Sequence, residues 1–364
     1  MNSTGFVPPP YPYDRLDEIT AIAAAHDGGA VDLSIGTPCD APPADVMAAL
    51  ASVPAARGYP PAIGTPALRG AVAGWMHRRL GVTVDPATQV GACVGTKEFV
   101  ASVPQYLHLR RPDRDTVLYP AISYPTYEMG ATLAGLRAVP YLRLEDIDPA
   151  DAARALAVWV NSPANPTGEL HDLAAAAAWG RAHDVVVLSD ECYVEFTYAG
   201  DPDTILRSGP EGVLAVHSLS KRDNFAGARI GFFAGDPELV HYLREVRKHA
   251  GLMPPGPVQN AAVVALADDA HVSAQRKRYK RRMQRLVQVL GALDIEAHLP
   301  DGAFYLWVQV PGGDEWKAAR VLAERAGIVS SPGEFYGPAG AGFLRLAAVQ
   351  PDDRIELAAS RVGR

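Results

Sequence analysis

Residues Val213 to Lys221 read Val-Leu-Ala-Val-His-Ser-Leu-Ser-Lys, an apolar run that ends in polar residues and a lysine. Its first part, Val213 to His217, is too short for a helix and rich in Val and Leu, which predicts a buried strand. Open parallel sheets place their ligand sites just beyond the carboxyl ends of the strands. Burying a lysine there as an ammonium is costly, so Lys221 either reaches water or has a lowered pKa and acts as a nucleophilic amine.

Further short apolar runs predict the rest of a sheet around this strand. They are Thr116 to Tyr119, Ala157 to Val160, Val185 to Ser189 and Ile230 to Ala234. Continuous apolar strands are typical of a sheet that is covered on both faces, and a helical stretch, Asp172 to Ala182, separates two of them. The pattern therefore predicts an α/β domain with a mostly parallel central sheet and helices on both faces.

The whole chain is predicted to divide into three regions. They are an N-terminal arm with the start of a small domain, a large α/β domain and a C-terminal small α+β domain, at residues 1–40, 41–253 and 254–364. The proline-rich start predicts an extended arm that could cross onto a partner subunit. The C-terminal region has helical periodicity from Pro257 to Leu290, and then two strands are predicted around a helix, at Phe304 to Val308, Phe343 to Ala347 and Glu315 to Ala326.

Composition and charge exclude several classes of protein. Of 364 residues, 48% are hydrophobic and 21% are charged, which is typical of a folded globular protein. The formal net charge is −7, so neither nucleic acid nor a membrane is an expected partner, and the basic run Arg276 to Arg282 is interpreted as a solvated helix face. Three cysteines without a CxxC pair, and the lack of a secretory signal or a long apolar run, predict a cytoplasmic protein.

Common nucleotide and metal signatures do not occur in the sequence. There is no GxxxxGK[ST] motif, no HExxH motif and no GxGxxG opening a helix after a strand, so we predict no metal site. Polar residues instead follow two other predicted strands, at Asn161 to Gly168 and Asp190 to Tyr193. Each segment alone is also compatible with a plain turn, and Asp190 with a helix cap. Their joint occurrence with Lys221 favours a ligand site.

These elements together resemble the pyridoxal-phosphate-dependent aminotransferases of fold type I, class I/II. The resemblance lies in Asn165-Pro166-Thr167-Gly168, Asp190 with Tyr193, and Ser218-x-Ser220-Lys221 followed by Arg229. It extends from Gly36 to Arg345, nearly the whole chain. It implies the PLP-dependent transferase fold type I, with a smaller α+β domain beside the main sheet, and it implies pyridoxal 5'-phosphate (PLP) as the cofactor.

Other segments resemble the actinobacterial N-succinyldiaminopimelate aminotransferases. These segments are Asp32 to Pro38, Gly95 to Glu98, Ser189 to Tyr193, Arg247 to Gly251 and Pro332 to Pro338. The resemblance implies transfer of an amino group from L-glutamate to N-succinyl-2-amino-6-oxopimelate, a step of diaminopimelate and lysine synthesis. Two alternatives stay open: an aminotransferase of the same fold that acts on a different keto acid, including one in secondary metabolism, and a catalytically silent binding protein on this fold.

The resemblance implies catalytic roles for residues at the strand ends. Lys221 would hold the cofactor as a Schiff base and then act as general base and acid at the substrate α-carbon. Asp190 would pair with the pyridinium nitrogen and keep it protonated. Asn165 and Tyr193 would hydrogen-bond the phenolic oxygen of the cofactor, and Asn165 would also contact the substrate.

The cofactor phosphate has its own implied set of residues. Ser218 and Arg229 would receive it, together with backbone N–H groups of Gly95, Thr96 and Lys97 at the start of a helix. For Thr96 a simple helix cap is the competing interpretation.

The remaining roles concern the ring, the substrate and the partner subunit. Either Tyr124 or Tyr127 would stack on the cofactor ring, with the other serving as a core aromatic. Arg345 would bind the substrate α-carboxylate beside the Gly36 backbone, and a structural salt bridge is its alternative role. Tyr59 resembles a tyrosine that reaches the phosphate of the neighbouring subunit, which implies a homodimer with shared active sites.

The residue that reads the far end of the substrate stays open. A succinylated keto acid carries extra carboxylates, which require basic or amide groups at the mouth of the site. Lys97, Arg222 and Lys248 are all compatible with this role.

Overall fold

The computed structural model describes residues 5–51 and 56–363. The strands are β1 Val31–Asp32, β2 Val90–Cys93, β3 Thr116–Pro120, β4 Arg137–Tyr141, β5 Ala155–Asn161, β6 Val186–Asp190, β7 Val213–Ser218, β8 Gly231–Gly235, β9 Tyr305–Gln309, β10 Ile328–Val329, β11 Ser331–Pro332 and β12 Phe343–Ala347. The α-helices are α1 Asp17–Ala24, α2 Ala44–Leu50, α3 Pro66–Leu80, α4 Thr96–Arg110, α5 Thr126–Leu133, α6 Pro149–Arg154, α7 Leu173–His183, α8 Leu219–Arg222, α9 Pro237–His249, α10 Gly256–Ala267, α11 Ala270–Gly291, α12 Glu315–Ala326 and α13 Asp352–Val362.

A seven-stranded central sheet forms the large part of the fold, in the order β2-β8-β7-β6-β5-β3-β4. Its pairs are parallel except at β8, which runs antiparallel to both of its neighbours. Alternate residues of β5 enter two different cores: Val158 and Val160 pack on one face and Ala157 and Trp159 on the other. This two-sided burial confirms the predicted α/β fold with a mostly parallel sheet.

The predicted strands all occur, with ends shifted by at most two residues. Two strands of the central sheet were not predicted. The first, β2, is short and contains Gly91, which weakens its apolar signal. The second, β4, is an edge strand that contains Pro140 and has no buried residue. Edge strands carry proline and polar residues because one side of the ladder is unpaired, so they resemble loops in sequence.

A smaller unit packs around α11, α12 and α13. It contains a three-stranded antiparallel sheet, β11-β12-β9, and a parallel pair of β1 and β10. Val31 and Leu33 lie in its core, which supports the prediction that the N-terminal region begins the small domain. Helix α10 instead packs on α2 and α3, with Val258 and Ala262 in the core of the central sheet. We therefore propose a domain boundary after α10 rather than at residue 253.

The basic run from Arg276 to Arg282 lies on α11, and its predicted solvation is only partly correct. Tyr279 is fully buried and Arg282 is 3% exposed, whereas Lys277 faces solvent. Arg282 forms ion pairs with Asp40 and Asp352, so the buried guanidinium is compensated. The continuous helical periodicity predicted to Leu290 is also interrupted, since α10 ends before α11 begins.

Within residues 5–51 and 56–363, no helix has the length and apolar character that crossing a membrane requires. The same part of the chain contains no group of three or more metal-ligating side chains.

Candidate active site

A cavity of about 270 Å³ opens at the carboxyl ends of β5, β6 and β7. This is the position at which a parallel sheet exposes its strand ends to a ligand. The predicted site residues that line it are Gly36, Thr96, Lys97, Tyr124, Asn165, Asp190, Tyr193, Ser218, Lys221, Arg229 and Arg345. Residues more than three hundred positions apart in the chain therefore meet in one cavity.

Lys221 extends into the cavity from α8, the short helix that follows β7. Its Nζ donates a hydrogen bond to the carbonyl oxygen of Gly36 at 2.5 Å. The pKa of Lys221 is lowered to about 8, mainly by burial and also by the positive charge of Arg345, whereas the negative charge of Asp190 opposes the shift. The amine is therefore partly neutral near physiological pH, which favours the nucleophilic interpretation.

Asp190 ends β6 and is buried at the base of the cavity. Its Oδ1 accepts the backbone N–H of Cys192 at 3.1 Å, and its Oδ2 accepts the hydroxyl of Tyr127 at 2.8 Å. Burial raises the pKa of this carboxyl group, while the Cys192 and Tyr127 hydrogen bonds act in the opposite direction. A protonated ring nitrogen would compensate the buried carboxylate. The predicted turn role is also present, because Asp190 bonds the backbone two residues ahead.

The two residues predicted to bond the phenolic oxygen, Asn165 and Tyr193, both line the cavity. Asn165 Oδ1 accepts a hydrogen bond from Arg345 Nη1 at 2.9 Å. The hydroxyl of Tyr193 lies 2.8 Å from the hydroxyl of Tyr305. Tyr305 was not predicted from the sequence, because it is one of several aromatic residues in an apolar strand. A side chain at Gly36 would clash with it, since a Cβ there would lie 2.2 Å from the Tyr305 hydroxyl.

The amino end of α4 lies against Arg229, where the sequence predicts the phosphate site. Gly95 precedes α4 with φ of 75°, and a Cβ on it would lie 2.3 Å from Arg229 Nη2. Arg229 Nη1 donates to the carbonyl of Ala226 at 2.9 Å, and no carboxylate in the described part of the chain pairs with this guanidinium. Ser218 and the start of α4 line the same cavity. An unpaired guanidinium, hydroxyl groups and helix N–H groups are a donor set that suits a phosphate.

Gly95→Ala is expected to weaken PLP binding by about tenfold or more, because the methyl group would displace Arg229 at a backbone conformation that disfavours side chains. Titration of the apoprotein with PLP, followed by absorbance, measures this change. Gly81→Ala is the matched control, since Gly81 has φ of 68° but open space around its Cβ position. Equal PLP affinity in the two variants would contradict the assignment of Gly95 to the phosphate site.

The structure separates the two tyrosines that the sequence left as alternatives. Tyr124 lines the cavity, as the ring-stacking role predicted for it requires. Tyr127 is fully buried behind the cavity and stacks on Trp159, with ring centroids 4.8 Å apart. The alternative prediction, that the cofactor stacks on Tyr127, is therefore wrong, and this residue is the core aromatic.

Arg345 lies on β12 and is 3% exposed. Its Nη2 donates to the carbonyl of Ser34 at 2.5 Å, and its guanidinium carbon lies 4.3 Å from the centre of the Tyr305 ring. Its Nε has no hydrogen-bond partner in the described structure. No carboxylate of the described residues pairs with it, so the alternative of an internal salt bridge is wrong. A buried guanidinium without a counter-ion suits a substrate carboxylate.

The N-terminal arm contributes to this chain's own cavity, a contact that the sequence did not predict. Tyr11, Pro12 and Tyr13 line the cavity. The Tyr13 hydroxyl lies 3.1 Å from the Tyr336 hydroxyl and accepts a weak hydrogen bond from Arg345 Nη2 at 3.4 Å. This part of the arm therefore covers the predicted carboxylate site instead of extending away from the subunit.

Some predicted residues lie elsewhere. Tyr59 is 96% exposed and is outside the cavity. Arg222 is buried in ion pairs with Glu195 and other acids, so it is unavailable to a substrate. Lys248 pairs with Glu245 on the exposed side of α9. Lys97 alone among the three candidates for the distal end lines the cavity.

A family model described as aminotransferase class I and II matches residues 29–362. The chain is 43% identical over 362 residues to the 4-dedimethylamino-4-oxo-anhydrotetracycline transaminase OxyQ of Streptomyces rimosus, covering 97% of this chain and 99% of that protein. It is 41% identical to a probable aminotransferase of Mycobacterium tuberculosis, covering 97% and 85% of the two chains. It is 33% identical to the LL-diaminopimelate aminotransferase of Aquifex aeolicus, covering 97% and 96%.

Solved structures share the whole fold. Substrate-bound BacF from Bacillus subtilis superimposes with a TM-score of 0.88 at 28% identity, covering 100% of this chain and 97% of that one. A probable N-succinyldiaminopimelate aminotransferase from Thermus thermophilus superimposes with a TM-score of 0.85 at 29% identity, covering 96% and 98%.

Proposed function

The chain belongs to the aminotransferase class I and II family, whose members use PLP, and on that premise we propose that it is a transaminase that takes its amino group from L-glutamate. One observation carries the proposal: a lysine with a lowered pKa shares a cavity with a buried carboxylate, an anion site and an unpaired buried arginine. Each of these groups corresponds to a different part of PLP or of an amino acid substrate.

The residues of the cavity have separate tasks in this proposal. When bound, PLP supplies an electron sink for the pair left on the substrate α-carbon after its proton is removed. The candidate anion site at Arg229 and α4 would hold the phosphate. Asp190 would keep a proton on the ring nitrogen, and Asn165 and Tyr193 would hydrogen-bond the phenolic oxygen. Tyr124 would stack on the ring and exclude water from it.

Lys221 Nζ moves the proton at the substrate α-carbon. A general base works best when its pKa lies near the working pH, and the value of about 8 for Lys221 meets this condition. Arg345 Nη atoms bind the α-carboxylate and so hold the α-carbon near Lys221. Tyr13 and Tyr336, which contact this arginine, close the carboxylate site to solvent.

The first candidate acceptor is N-succinyl-2-amino-6-oxopimelate, as in diaminopimelate and lysine synthesis. It is supported by the segment resemblance, by the similarity to diaminopimelate aminotransferases and by the structural similarity to the Thermus protein. Its keto group adjoins a carboxylate that suits Arg345, and Lys97 is a cation for its distal carboxylates.

The second candidate acceptor is a bulky cyclic ketone. It is favoured by the 43% identity to OxyQ, whose name gives a 4-oxo-anhydrotetracycline, and by the nearly complete coverage of both chains. A secondary-metabolite substrate of this kind has no carboxylate next to its reacting carbonyl carbon. The carboxylate site at Arg345 would then be used only in the half-reaction with glutamate.

Spectra and an acceptor panel test this function. We expect purified holoprotein to show a visible PLP band that is lost when glutamate is added and restored by the true acceptor. The acceptors are N-succinyl-2-amino-6-oxopimelate, a fused-ring ketone and simple keto acids, and the true one should exceed the others by at least about tenfold in kcat/KM. A protein that ignores PLP would contradict the proposal and favour a silent binding protein.

We further propose a cytoplasmic homodimer with shared active sites. The nearly complete exposure of Tyr59 in the single chain supports a position at a subunit interface. Mixed dimers of Tyr59→Phe and Lys221→Ala subunits contain one intact site if Tyr59 acts across the interface. The activity of the mixture should then exceed that of either variant alone. An activity equal to the average of the two variants would contradict shared active sites.

A further inference from the structure

Tyr127 lies directly behind two cavity residues, although it is not part of the cavity lining. Its hydroxyl donates to Asp190 Oδ2 at 2.8 Å. Its ring stacks on Trp159 with an interplanar angle of 19°, and it meets the Tyr124 ring edge-on, with centroids 5.8 Å apart. One fully buried side chain therefore contacts both the carboxylate and the aromatic ring that face the cofactor in the proposed function.

The orientation of Asp190 depends on donors from two different elements. The backbone N–H of Cys192 holds Oδ1 from the loop after β6, and Tyr127 holds Oδ2 from α5. The other ionisable groups near this carboxylate are the Cys192 thiol, Lys221 and the hydroxyls of Tyr124 and Tyr193. Because a hydrogen bond to an ionised group in a buried site is stronger than one between neutral groups, the Tyr127 bond favours the ionised form of Asp190.

We propose that Tyr127 is a positioning residue of the transaminase. Its hydroxyl holds the Asp190 carboxylate in its orientation, and its ring holds the Tyr124 ring in place. The inference rests on the proposed function. It assigns to one residue the positioning of both Asp190, the partner of the ring nitrogen, and Tyr124, the stacking ring. The rigid contact with Trp159 leaves Tyr127 little freedom to adopt another rotamer, so both contacts are preorganised before a cofactor binds.

Tyr127→Phe removes the hydroxyl and retains the ring. We expect the PLP affinity and kcat each to fall about tenfold, because one hydrogen bond to a charged group is lost. The pH midpoint of the visible band of bound PLP should rise by about one unit. The reason is that a ring nitrogen with less positive charge makes the proton on the Lys221 nitrogen less acidic. The KM for glutamate should change less than about twofold, because Arg345 is not touched.

Tyr141→Phe is the matched control. The Tyr141 hydroxyl donates to the backbone carbonyl of Trp159 on β5 at 2.6 Å, so this variant loses a partly buried hydrogen bond near Tyr127 but none to Asp190. It should lower the melting temperature to a similar extent and leave the pH midpoint unchanged. A double-mutant cycle with Asp190→Asn adds a second test, because Tyr127→Phe should have less than about a twofold effect in that background.

An unchanged pH midpoint in folded Tyr127→Phe, or equal shifts in Tyr127→Phe and Tyr141→Phe, would overturn the proposal. If Tyr127→Phe does not fold, Tyr127→Met gives the same titration with a flexible side chain that also lacks a donor. Failure of both variants to fold would assign Tyr127 to stability alone. The titration requires only PLP binding, so its result is separate from the response of the wild-type protein to glutamate, which tests the proposed function.

Discussion

Lys221→Ala is expected to abolish transamination, with a fall in kcat of at least about 10⁴-fold, because the variant has neither the nucleophilic amine nor the base for the α-carbon proton. A coupled assay with glutamate and the best acceptor of the panel measures the loss. Borohydride treatment of wild-type holoprotein should fix a pyridoxyl group to the peptide that contains Lys221, as peptide mass spectrometry would detect, and should leave the variant unlabelled.

Lys221→Arg is the control for charge and length. It keeps a cation in the cavity, but a guanidinium does not lose its proton at accessible pH, so it is neither a base nor a nucleophile here. The variant should therefore be as inactive as Lys221→Ala while binding PLP through the anion site. Substantial turnover by either variant would require another residue to carry the chemistry.

The lowered pKa of Lys221 also predicts pH effects in the apoprotein. Attachment of PLP to the amine should accelerate as pH rises, with a midpoint near the pKa of about 8. Between that value and the ordinary 10.5 the unfolded chain binds more protons than the folded one, so the contribution of Lys221 to stability rises with pH over this window. Below pH 8 its burial is fully destabilising, and Lys221→Ala should stabilise the apoprotein there.

The sequence predicted the strand ends and their polar residues because both signals are local. An apolar run of strand length, followed at once by Ser218 or Asp190, indicates a sheet edge without any knowledge of packing. The phosphate residues were also predictable, since Gly95 and Arg229 occur in segments that resemble a known family. The edge strand β4 was not predicted because none of its side chains is buried, so they carry no such apolar pattern.

Other features depend on tertiary contacts and could not be predicted. The hydroxyls of Tyr305 and Tyr127 reach Tyr193 and Asp190 across long stretches of sequence, and nothing in the local pattern distinguishes them from core aromatics. Arg222 follows the key lysine and was a reasonable candidate for the distal carboxylate. Its partners are Glu195 after β6, Ala265 of α10 and Asp269 just before α11, which contact it from distant parts of the chain.

Arg345→Gln is expected to lower kcat/KM for glutamate by about 10³-fold, mainly through KM, because the substrate carboxylate loses a bidentate cation in a buried site. Arg345→Lys should be intermediate, since an ammonium retains the charge without the planar fork. Arg282→Gln is the control for loss of a buried arginine: its ion pairs lie outside the cavity, so it should affect stability more than KM. A PLP spectrum unchanged in Arg345→Gln would exclude a general collapse of the site.

The same substitution distinguishes the two candidate acceptors when the half-reactions are measured separately by single-turnover absorbance. The glutamate half-reaction of Arg345→Gln should be slow in either case, because the donor carries an α-carboxylate. With N-succinyl-2-amino-6-oxopimelate as the acceptor, the second half-reaction should be slowed by a similar factor, since its keto carbon also adjoins a carboxylate that needs the guanidinium. With a cyclic ketone the second half-reaction should keep its wild-type rate, because Arg345 has no group to bind there. A variant that reacts with glutamate at the wild-type rate would remove Arg345 from the carboxylate site altogether.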